Sequence, residues 1–523
     1  MQAFMTLFND VESPTAGQCS APCRFECLAF FLIMAVGAFL RLYGLGCRDF
    51  NLDEAYSFLF ARDYPFWEVF SPLSSMNRID PHPTLHYVLS WIWMHTAYPL
   101  LQGIGFSMEA AFRSLSALIS MGSLLMTMHC GRQIAGLLGG LLAGLLLAFN
   151  GMAVSLAQEA RMYSLLELAG ACFLAAIIWY QSGTGDRWQK SAMLILASWF
   201  LMLSHYVGII FVVLGWSWLF FFTHREWRVS LAVSAIVLTG LYAYWLMGFF
   251  LQFGNEQAGS GGGFKLSTGL VVPFTYFSFL AGETLVSIKA RSDLVQTLPW
   301  ISATFIVAAS SLLGGWRLWY HSAKERRRKI EAVAWLTFIP ILVMLIGSFW
   351  VHKLFMSVRY AAAALVPFFI LITVGLVAWV NERQKTLVIV VFVGYLLLSV
   401  TALSNMYLLK VKPPPSWKAV AAYLNDVNPA AIAIYSPYMK LPLSLYYSGA
   451  PLIELPEQRI VSWEELVRIK PELDRPDSDI VLMLSHPRQF KDQYLQFFSD
   501  SGTLQPMKSG FFDVELWLRR GVN

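Results

Sequence analysis

The sequence predicts a polytopic α-helical membrane protein that ends in a small α/β domain. Of its 523 residues, 57% are hydrophobic and 14% are charged, whereas a soluble domain carries about 25% charged residues. Apolar stretches long enough to cross a bilayer recur from residue 27 to residue 407. The pattern then changes at the three prolines of VKPPPSW, 411–417. This composition excludes a soluble enzyme and a disordered chain, and six scattered cysteines exclude a disulfide-stapled module.

A membrane-spanning helix needs about 17–25 predominantly apolar residues, and we identify eleven candidate segments, one of them shorter than this range. The shortest of these segments, 190–204, runs almost without a break into the next one. The predicted spans are 27–45, 109–130, 134–150, 161–180, 190–204, 206–222, 230–251, 298–319, 333–351, 358–380 and 386–407.

A further apolar stretch at 84–101 contains two histidines, two tyrosines and two tryptophans. Such residues favour the membrane–water interface, so we expect a juxtamembrane or re-entrant helix. Basic residues orient the spans, because short cytoplasmic loops are enriched in Lys and Arg. The richest loop is SAKERRRK at 322–329, and three other basic loops and Arg132 fall on the same side when eleven spans alternate. If 84–101 crossed the membrane, four later loops would violate this rule.

This topology divides the chain into three predicted parts. Residues 1–26 form a cytoplasmic segment without a cleavable signal, and residues 27–408 form the membrane domain with an extracytoplasmic loop at 46–108. Residues 409–523 form an extracytoplasmic α/β domain, in which the strand-like runs AIAIYS, DIVLMLS and FFDVELWLR alternate with helical segments. The glycines at 261–263 could hinge a lid or form a plain linker. The net charge of +5 resides in short loops, so no nucleic-acid partner is expected.

Polar residues cluster at five places that this topology puts on the extracytoplasmic side. The first four clusters also have a structural explanation, which is in turn a solvated helix start, a turn, a snorkelling cation and a packed histidine. The candidate residues are Asp53 and Glu54; Asp80, His82 and His86; Gln158, Glu159, Arg161 and Tyr163; His205; and His352, Lys353, Arg359 and Tyr360.

These residue types suit transfer from a lipid-linked anionic donor. A carboxylate can accept a proton from an acceptor hydroxyl or hold Mg²⁺ or Mn²⁺. Arginine and lysine side chains can neutralise a phosphate leaving group. If a metal is bound, Asp53, Glu54 and Asp80 are the candidate ligands, but a mechanism with a base alone needs no metal.

The motifs in this order resemble bacterial GT-C glycosyltransferases. They are LDEAYS, DPHPTLHYVL, the FRSLSALISMGSLL span, AQEARMYSLLEL, SHYVG and VRY. The sequence is most similar to the glycosyltransferase 39 family, with protein O-mannosyltransferases and the aminoarabinose transferase of lipid A, and to its RgtA/B/C/D-like branch. The resemblance covers residues 28–410. One motif departs from the family pattern, because Thr84 and His86 replace a proline and a tyrosine.

The resemblance implies an inverting transferase in the bacterial inner membrane that uses a polyprenyl-phosphate-linked sugar. The acceptor would be an envelope glycan, a lipid or a protein. By this likeness, Asp53 is the general base or part of a metal-binding pair, with Glu54 and Asp80 in support and His82 in the same loop. The implied donor-phosphate residues are Arg161, Tyr163, His205, Lys353, Arg359 and Tyr360.

Two other functions compete with glycosyl transfer. A transporter or flippase of a lipid-linked sugar could use Glu167 and His205 along a substrate path, although no inverted repeat is evident. A catalytically silent assembly subunit is the second alternative, and the joint presence of the acidic and basic candidates disfavours it. Cys19, Cys23 and Cys27 could form a metal site on one helix face, or they are reduced thiols at the membrane edge.

Overall fold

The structure is a computed structural model of the chain. It describes residues 21–74, 82–182, 185–223, 225–255, 270–285, 291–348, 355, 357–409, 416–435, 439–456, 460, 462–475, 477–485, 490–507 and 514–520. Several predicted features lie outside the described residues, namely Cys19, Asp80, the glycines at 261–263, His352 and Lys353.

The chain divides into two compact units. The first unit, called here the membrane unit, contains Met1–Leu45, Asp63–Pro99 and Phe112–Leu409. The second unit, called here the sheet unit, contains Gly46–Arg62, Leu100–Ala111 and Lys410–Asn523. The sheet unit therefore combines parts of the first predicted outside loop with the C-terminal residues.

The membrane unit is helical, and the chain is a multi-pass membrane protein. Within the described residues, seven helices are long and apolar enough to cross a bilayer: Met108–Ala148, Tyr163–Gln181, Arg225–Gly248, Thr297–His321, Lys324–Gly347, Val358–Asn381 and Lys385–Leu408. Helices also cover the remaining predicted spans, as Ala21–Leu42, Arg187–Ser204 and Gly208–Phe222.

The segment Met108–Ala148 is a helical hairpin rather than one rod. Ala135 and Gly136 have non-helical backbone angles, and Gly136 has a φ of +71° that favours glycine. A Cβ atom on Gly144 would lie 2.5 Å from the Met128 side chain, so the two legs pack closely. The hairpin accounts for the two spans predicted at 109–130 and 134–150.

The interfacial stretch at 84–101 forms two short helices, Leu85–His95 and Ala97–Gly103. At 1.5 Å per residue the longer helix extends only about 16 Å, which is too short to cross the bilayer core of about 30 Å. The Trp245 indole donates a hydrogen bond to Thr84 Oγ1 at 2.9 Å, which fixes the start of the first helix.

The basic loops of the membrane unit interact with one another. Arg187 pairs with Glu226 at 3.2 Å, and Arg326 donates to the Ile134 carbonyl in the hairpin turn at 2.7 Å. The first contact joins the loops around residues 187 and 226, and the second joins the loops around residues 132 and 326. The alternation of predicted spans requires this arrangement, because these loops were all assigned to one side.

A helix at Val271–Ala281 lies between the predicted spans 230–251 and 298–319. Its eleven residues form too short an apolar run to be recognised as a span. Asn150 Nδ2 donates to the Phe279 carbonyl at 2.7 Å, and Thr284 Oγ1 donates to the Ala402 carbonyl at 2.8 Å. These bonds fix the helix and the residues that follow it.

Among the described residues of the sheet unit, five strands form one sheet in the order β2-β1-β3-β5-β4. The strands are β1 Ala431–Tyr435, β2 Leu452–Glu454, β3 Ile480–Ser485, β4 Thr503–Pro506 and β5 Val514–Arg520. Strand β1 is parallel to β2 and β3, and β5 is antiparallel to β3 and β4. The predicted α/β character is therefore confirmed.

Helices cover both faces of this sheet. Trp417–Val427 packs on one face, where Val420 and Leu424 are fully buried. Trp463–Ile469 and Lys491–Asp500 contribute to a second core on the other face. The helix Lys440–Ser444 follows β1. Strand β1 has apolar side chains throughout because it is buried on both faces.

Candidate active site

The helix that carries Asp53 and Glu54, Leu52–Asp63, begins with a reciprocal capping box. Asn51 Oδ1 accepts a hydrogen bond from the Glu54 backbone N–H at 2.8 Å, and Glu54 Oε2 accepts one from the Asn51 backbone N–H at 3.1 Å. Glu54 is 2% exposed. Its carboxylate therefore fixes the start of the helix.

Asp53 is the exposed member of the acidic pair. Consecutive residues of a helix point about 100° apart, which is why Glu54 faces inward while Asp53 faces outward. The first turn of a helix favours negative charge, because its backbone N–H groups carry partial positive charge. Asp53 is thus a solvent-exposed carboxylate in the first turn of a helix whose start is fixed.

In the membrane unit, Arg359 lies between two carboxylates. Its Nη1 atom is 2.6 Å from Glu159 Oε2, while Nε and Nη2 are 3.2 and 3.1 Å from Glu283 Oε2. Ser357 Oγ accepts from the Arg359 backbone N–H at 3.3 Å and caps the 3₁₀ turn Val358–Ala364. The guanidinium is thereby held at the start of a membrane-crossing segment.

Glu283 is a site residue that the sequence analysis missed. It follows Gly282, whose φ of +69° ends the helix Val271–Ala281. A lone carboxylate after a short apolar run gives no signal in the sequence. Its partner Arg359 is 76 residues away, so only the folded chain shows the ion pair.

Arg161 lies in the turn between the helices Gly151–Ala157 and Tyr163–Gln181. The first of these helices occupies most of the gap between the predicted spans 134–150 and 161–180. Arg161 is 2% exposed, and its backbone N–H donates to the Glu159 carbonyl at 2.8 Å. The Gln158 backbone N–H caps the end of the first helix, and its side-chain Nε2 atom donates to the Tyr43 carbonyl at 2.8 Å, just past the end of the helix Ala21–Leu42.

Four aromatic rings form a cluster beside Arg359. The ring centroids of His82 and His205 are 5.3 Å apart, and those of His205 and Tyr360 are 4.9 Å apart. The Tyr163 ring lies 6.3 Å from both His205 and Tyr360. The Arg359 guanidinium carbon is 6.0 Å from the centre of the Tyr163 ring. We call these four rings the aromatic cluster.

His205 has a defined orientation within the aromatic cluster. It ends the helix Arg187–Ser204 with an extended backbone, and its Nδ1 atom accepts a hydrogen bond from the Val207 backbone N–H at 3.2 Å. A neutral imidazole that accepts at Nδ1 carries its proton on Nε2. His205, the residue between the predicted spans 190–204 and 206–222, therefore carries a ring that can donate through Nε2.

The structure brings together part of the predicted donor-phosphate set within the membrane unit. Tyr163, His205, Arg359 and Tyr360 share one cluster with His82, which had been expected beside the acidic residues. Asp53 and Glu54 belong to the sheet unit. Asp80 and Lys353 lie outside the described residues, so their placement stays a prediction.

The structure gives no metal cluster within the residues that it describes, since no three His, Cys, Asp or Glu side chains there could hold one ion. Of the candidate ligands, Glu54 is engaged in the capping box and Asp80 is not described. The predicted three-carboxylate set therefore stays a prediction.

Solved structures share this fold. The chain is similar to ArnT from Cupriavidus metallidurans bound to undecaprenyl phosphate, with 14% identity and a TM-score of 0.56 over 96% of this chain and 98% of that one. It is also similar to the oligosaccharyltransferase of Archaeoglobus fulgidus tethered with an acceptor peptide, with 11% identity and a TM-score of 0.53. That alignment covers 88% of this chain and 69% of the other.

A second structure of that oligosaccharyltransferase, in complex with zinc and sulfate, is similar at 12% identity with a TM-score of 0.50 over 87% of this chain and 67% of that one. No family model matches the sequence, and no curated protein is detectably similar to it. At these identities the likeness concerns the fold, which extends over nearly the whole chain.

Proposed function

The chain has the fold of GT-C glycosyltransferases, and from this premise we propose that it is a glycosyltransferase. Its donor is a sugar linked to polyprenyl phosphate, and its acceptor is an envelope glycan, a lipid or a protein. The reaction takes place on the extracytoplasmic face of the bacterial inner membrane. The solved ArnT structure contains undecaprenyl phosphate, which supports a donor of this chemical class.

The observation that carries the proposal is the arrangement around Arg359 in the membrane unit. A guanidinium binds phosphate oxygens through paired N–H groups, and Arg359 is held by Glu159 and Glu283 in a defined position. Arg161 lies two residues after Glu159 in the same turn. Both cations lie at the ends of membrane helices, where the phosphate of a lipid anchored in the bilayer is expected.

The aromatic cluster supports recognition of a sugar. The apolar C–H face of a pyranose or furanose packs against aromatic rings, and Tyr hydroxyl and His N–H groups can donate to sugar oxygens. Tyr163, Tyr360 and His205 supply both kinds of contact next to the cation. The cluster thus has the chemistry to hold a sugar whose phosphate meets Arg359.

In the proposed reaction, Asp53 accepts the proton of an acceptor hydroxyl. The hydroxyl oxygen attacks the anomeric carbon from the face opposite the phosphate, and the bond between that carbon and the phosphate oxygen breaks. Polyprenyl phosphate leaves as an anion that Arg161 and Arg359 stabilise. The configuration at the anomeric carbon is inverted. Glu54 supports Asp53 by fixing the start of its helix.

A flippase is the second candidate, and one observation favours it. Glu167 is fully buried within a membrane helix, and neither of its carboxylate oxygens has a hydrogen-bond partner among the described residues. Buried ionisable groups in membrane helices commonly mark a transport path. The two functions differ in product, because a flippase moves the lipid-linked sugar without cleaving it.

The test uses the detergent-purified protein with polyprenyl-phosphate sugars labelled in the sugar, together with a panel of envelope acceptors. A transferase releases polyprenyl phosphate only when its acceptor is present. We expect Asp53→Asn to retain the fold and to lose about 10²–10⁴-fold in rate, the usual contribution of a general base. Asp63→Asn, at the other end of the same helix, is the matched control and is expected to keep its rate.

Two results would contradict the proposal. Full activity of Asp53→Asn would show that Asp53 is not the general base. Movement of intact donor between the leaflets of vesicles, without any cleavage, would favour the flippase. A greater loss in Glu54→Gln than in Asp53→Asn would exchange their roles. Glu54→Gln keeps an oxygen that can accept from the Asn51 N–H, so we expect it to be the milder change.

A further inference from the structure

The segment that leads into the Asp53 helix is held by residues of the C-terminal part of the chain, all within the sheet unit. Asp49 Oδ2 accepts a hydrogen bond from the Lys418 backbone N–H at 2.8 Å. The Lys418 Nζ atom is 3.6 Å from Asp49 Oδ1. Lys418 is the second residue of the helix Trp417–Val427, so Asp49 also meets the positive end of that helix.

The next residue, Phe50, is held by a tyrosine. Its backbone N–H donates to the Tyr446 hydroxyl at 2.9 Å, and that hydroxyl donates to Glu109 Oε1 at 2.8 Å. Burial raises the pKa of Tyr446 above its usual value, which keeps the hydroxyl protonated and able to donate. The Phe50 ring is fully buried and lies 5.2 Å from the Phe58 ring of the Asp53 helix.

Lys418 and Tyr446 converge on Glu109. The Lys418 Nζ atom is 2.8 Å from Glu109 Oε1, and the Glu109 side chain is 1% exposed. Its other oxygen, Oε2, has no hydrogen-bond partner among the described residues. A buried carboxylate is costly unless a cation and hydrogen bonds compensate it. Lys418 supplies that cation, so its loss would force this part of the chain to rearrange.

Three consecutive residues before the helix are thus fixed by side-chain hydrogen bonds: Asp49 by Lys418, Phe50 by Tyr446, and Asn51 by Glu54. Only the contact between Asn51 and Glu54 joins residues that are close in the sequence. We propose that Lys418, Tyr446 and Glu109 are positioning residues, which set the start of the Asp53 helix and so the place of the catalytic carboxylate. The inference rests on the proposed function, and it gives the C-terminal domain a part in catalysis.

The test compares Lys418→Met with Lys440→Met in the full-length protein. Lys440 is a matched control because it also forms an ion pair in the sheet unit, at 3.0 Å to Glu454, with a side chain 42% exposed against 49% for Lys418. We expect amide hydrogen exchange over residues 46–58 to be faster in Lys418→Met than in Lys440→Met. At saturating donor the transfer rate should fall up to about 10²-fold, as expected for a catalytic group displaced by about 1 Å.

Two further results distinguish positioning from general stability. Affinity for undecaprenyl phosphate should be unchanged in Lys418→Met, and Lys418→Arg should recover most of the rate because it restores the cation. If Lys418→Met does not fold, Tyr446→Phe replaces it, since this change keeps the ring and removes the bonds to Phe50 and Glu109.

Unchanged exchange over residues 46–58 would overturn the inference, and so would faster exchange spread evenly over the whole C-terminal domain. If the wild-type protein transfers no sugar to any acceptor, the proposed function fails by itself. The exchange comparison still decides whether Lys418 holds the start of the helix.

Discussion

Removal of Arg359 tests whether its ion pairs stabilise the fold and whether the guanidinium binds the donor. Breaking a buried ion pair costs about 3–5 kcal/mol when one charge is left without compensation. The side chains of Arg359, Glu159 and Glu283 are 30%, 11% and 27% exposed. Solvent screens such charges, so we expect Arg359→Met to lower the free energy of unfolding by about 2–3 kcal/mol.

A variant without the two glutamates distinguishes an effect of Arg359 on protein stability from an effect on donor binding. In Glu159→Gln/Glu283→Gln, the glutamine oxygens can still accept from Arg359, but they leave no uncompensated carboxylate when Arg359 is removed. Adding Arg359→Met to this double variant should therefore cost less than about 1 kcal/mol of stability. It should still weaken the binding of undecaprenyl phosphate by about 10- to 150-fold, which corresponds to the loss of about 1.5–3 kcal/mol of charge-assisted hydrogen bonding.

The assay is a denaturant titration of the detergent-purified variants, followed by equilibrium binding of undecaprenyl phosphate. Each comparison is made within one background, so that changes in site charge from the glutamines cancel. Equal lipid affinity with and without Arg359 in the glutamine background would refute its role in phosphate binding. Equal loss of stability in both backgrounds would show that the ion pairs are not the cause.

Three further predictions concern the helix start, the aromatic cluster and the topology. Asn51→Ala removes one half of the capping box and should destabilise the protein by about 1 kcal/mol, measured by denaturant titration. Tyr360→Leu should raise the KM for the lipid-linked sugar, while the binding of undecaprenyl phosphate stays the same. Tyr360→Phe should recover most of the lost affinity for the sugar. A parallel loss of undecaprenyl phosphate binding in Tyr360→Leu would contradict a sugar contact. In a cysteine-free background, an impermeant thiol reagent should label Ile104→Cys but not Lys324→Cys in intact cells, and the reverse pattern would invert the proposed orientation.

Local patterns in the sequence predicted much of the fold. All eleven predicted spans coincide with helices or with a leg of the hairpin, because a run of apolar residues of sufficient length has few alternatives to a helix in a bilayer. The strands β1, β3 and β5 were predicted from their apolar runs. The strands β2 and β4 were not, since Leu452–Glu454 has only three residues and Thr503–Pro506 is a largely exposed edge strand.

The candidate site, like the fold, was predicted only in part from the sequence. The sequence by itself determined that acidic and basic residues lie next to predicted spans and that Asp53 and Glu54 stand at the start of a helix, where the structure shows a capping box with Asn51. Only the tertiary structure decided that Arg359 pairs with Glu283, that His82 joins Tyr360 in one aromatic cluster, and that Lys418 meets Glu109 across 309 positions of the chain. The physical reason is that a capping box and an apolar run are complete within a few residues. An ion pair between distant residues leaves no periodicity, because its geometry exists only after the helices have packed.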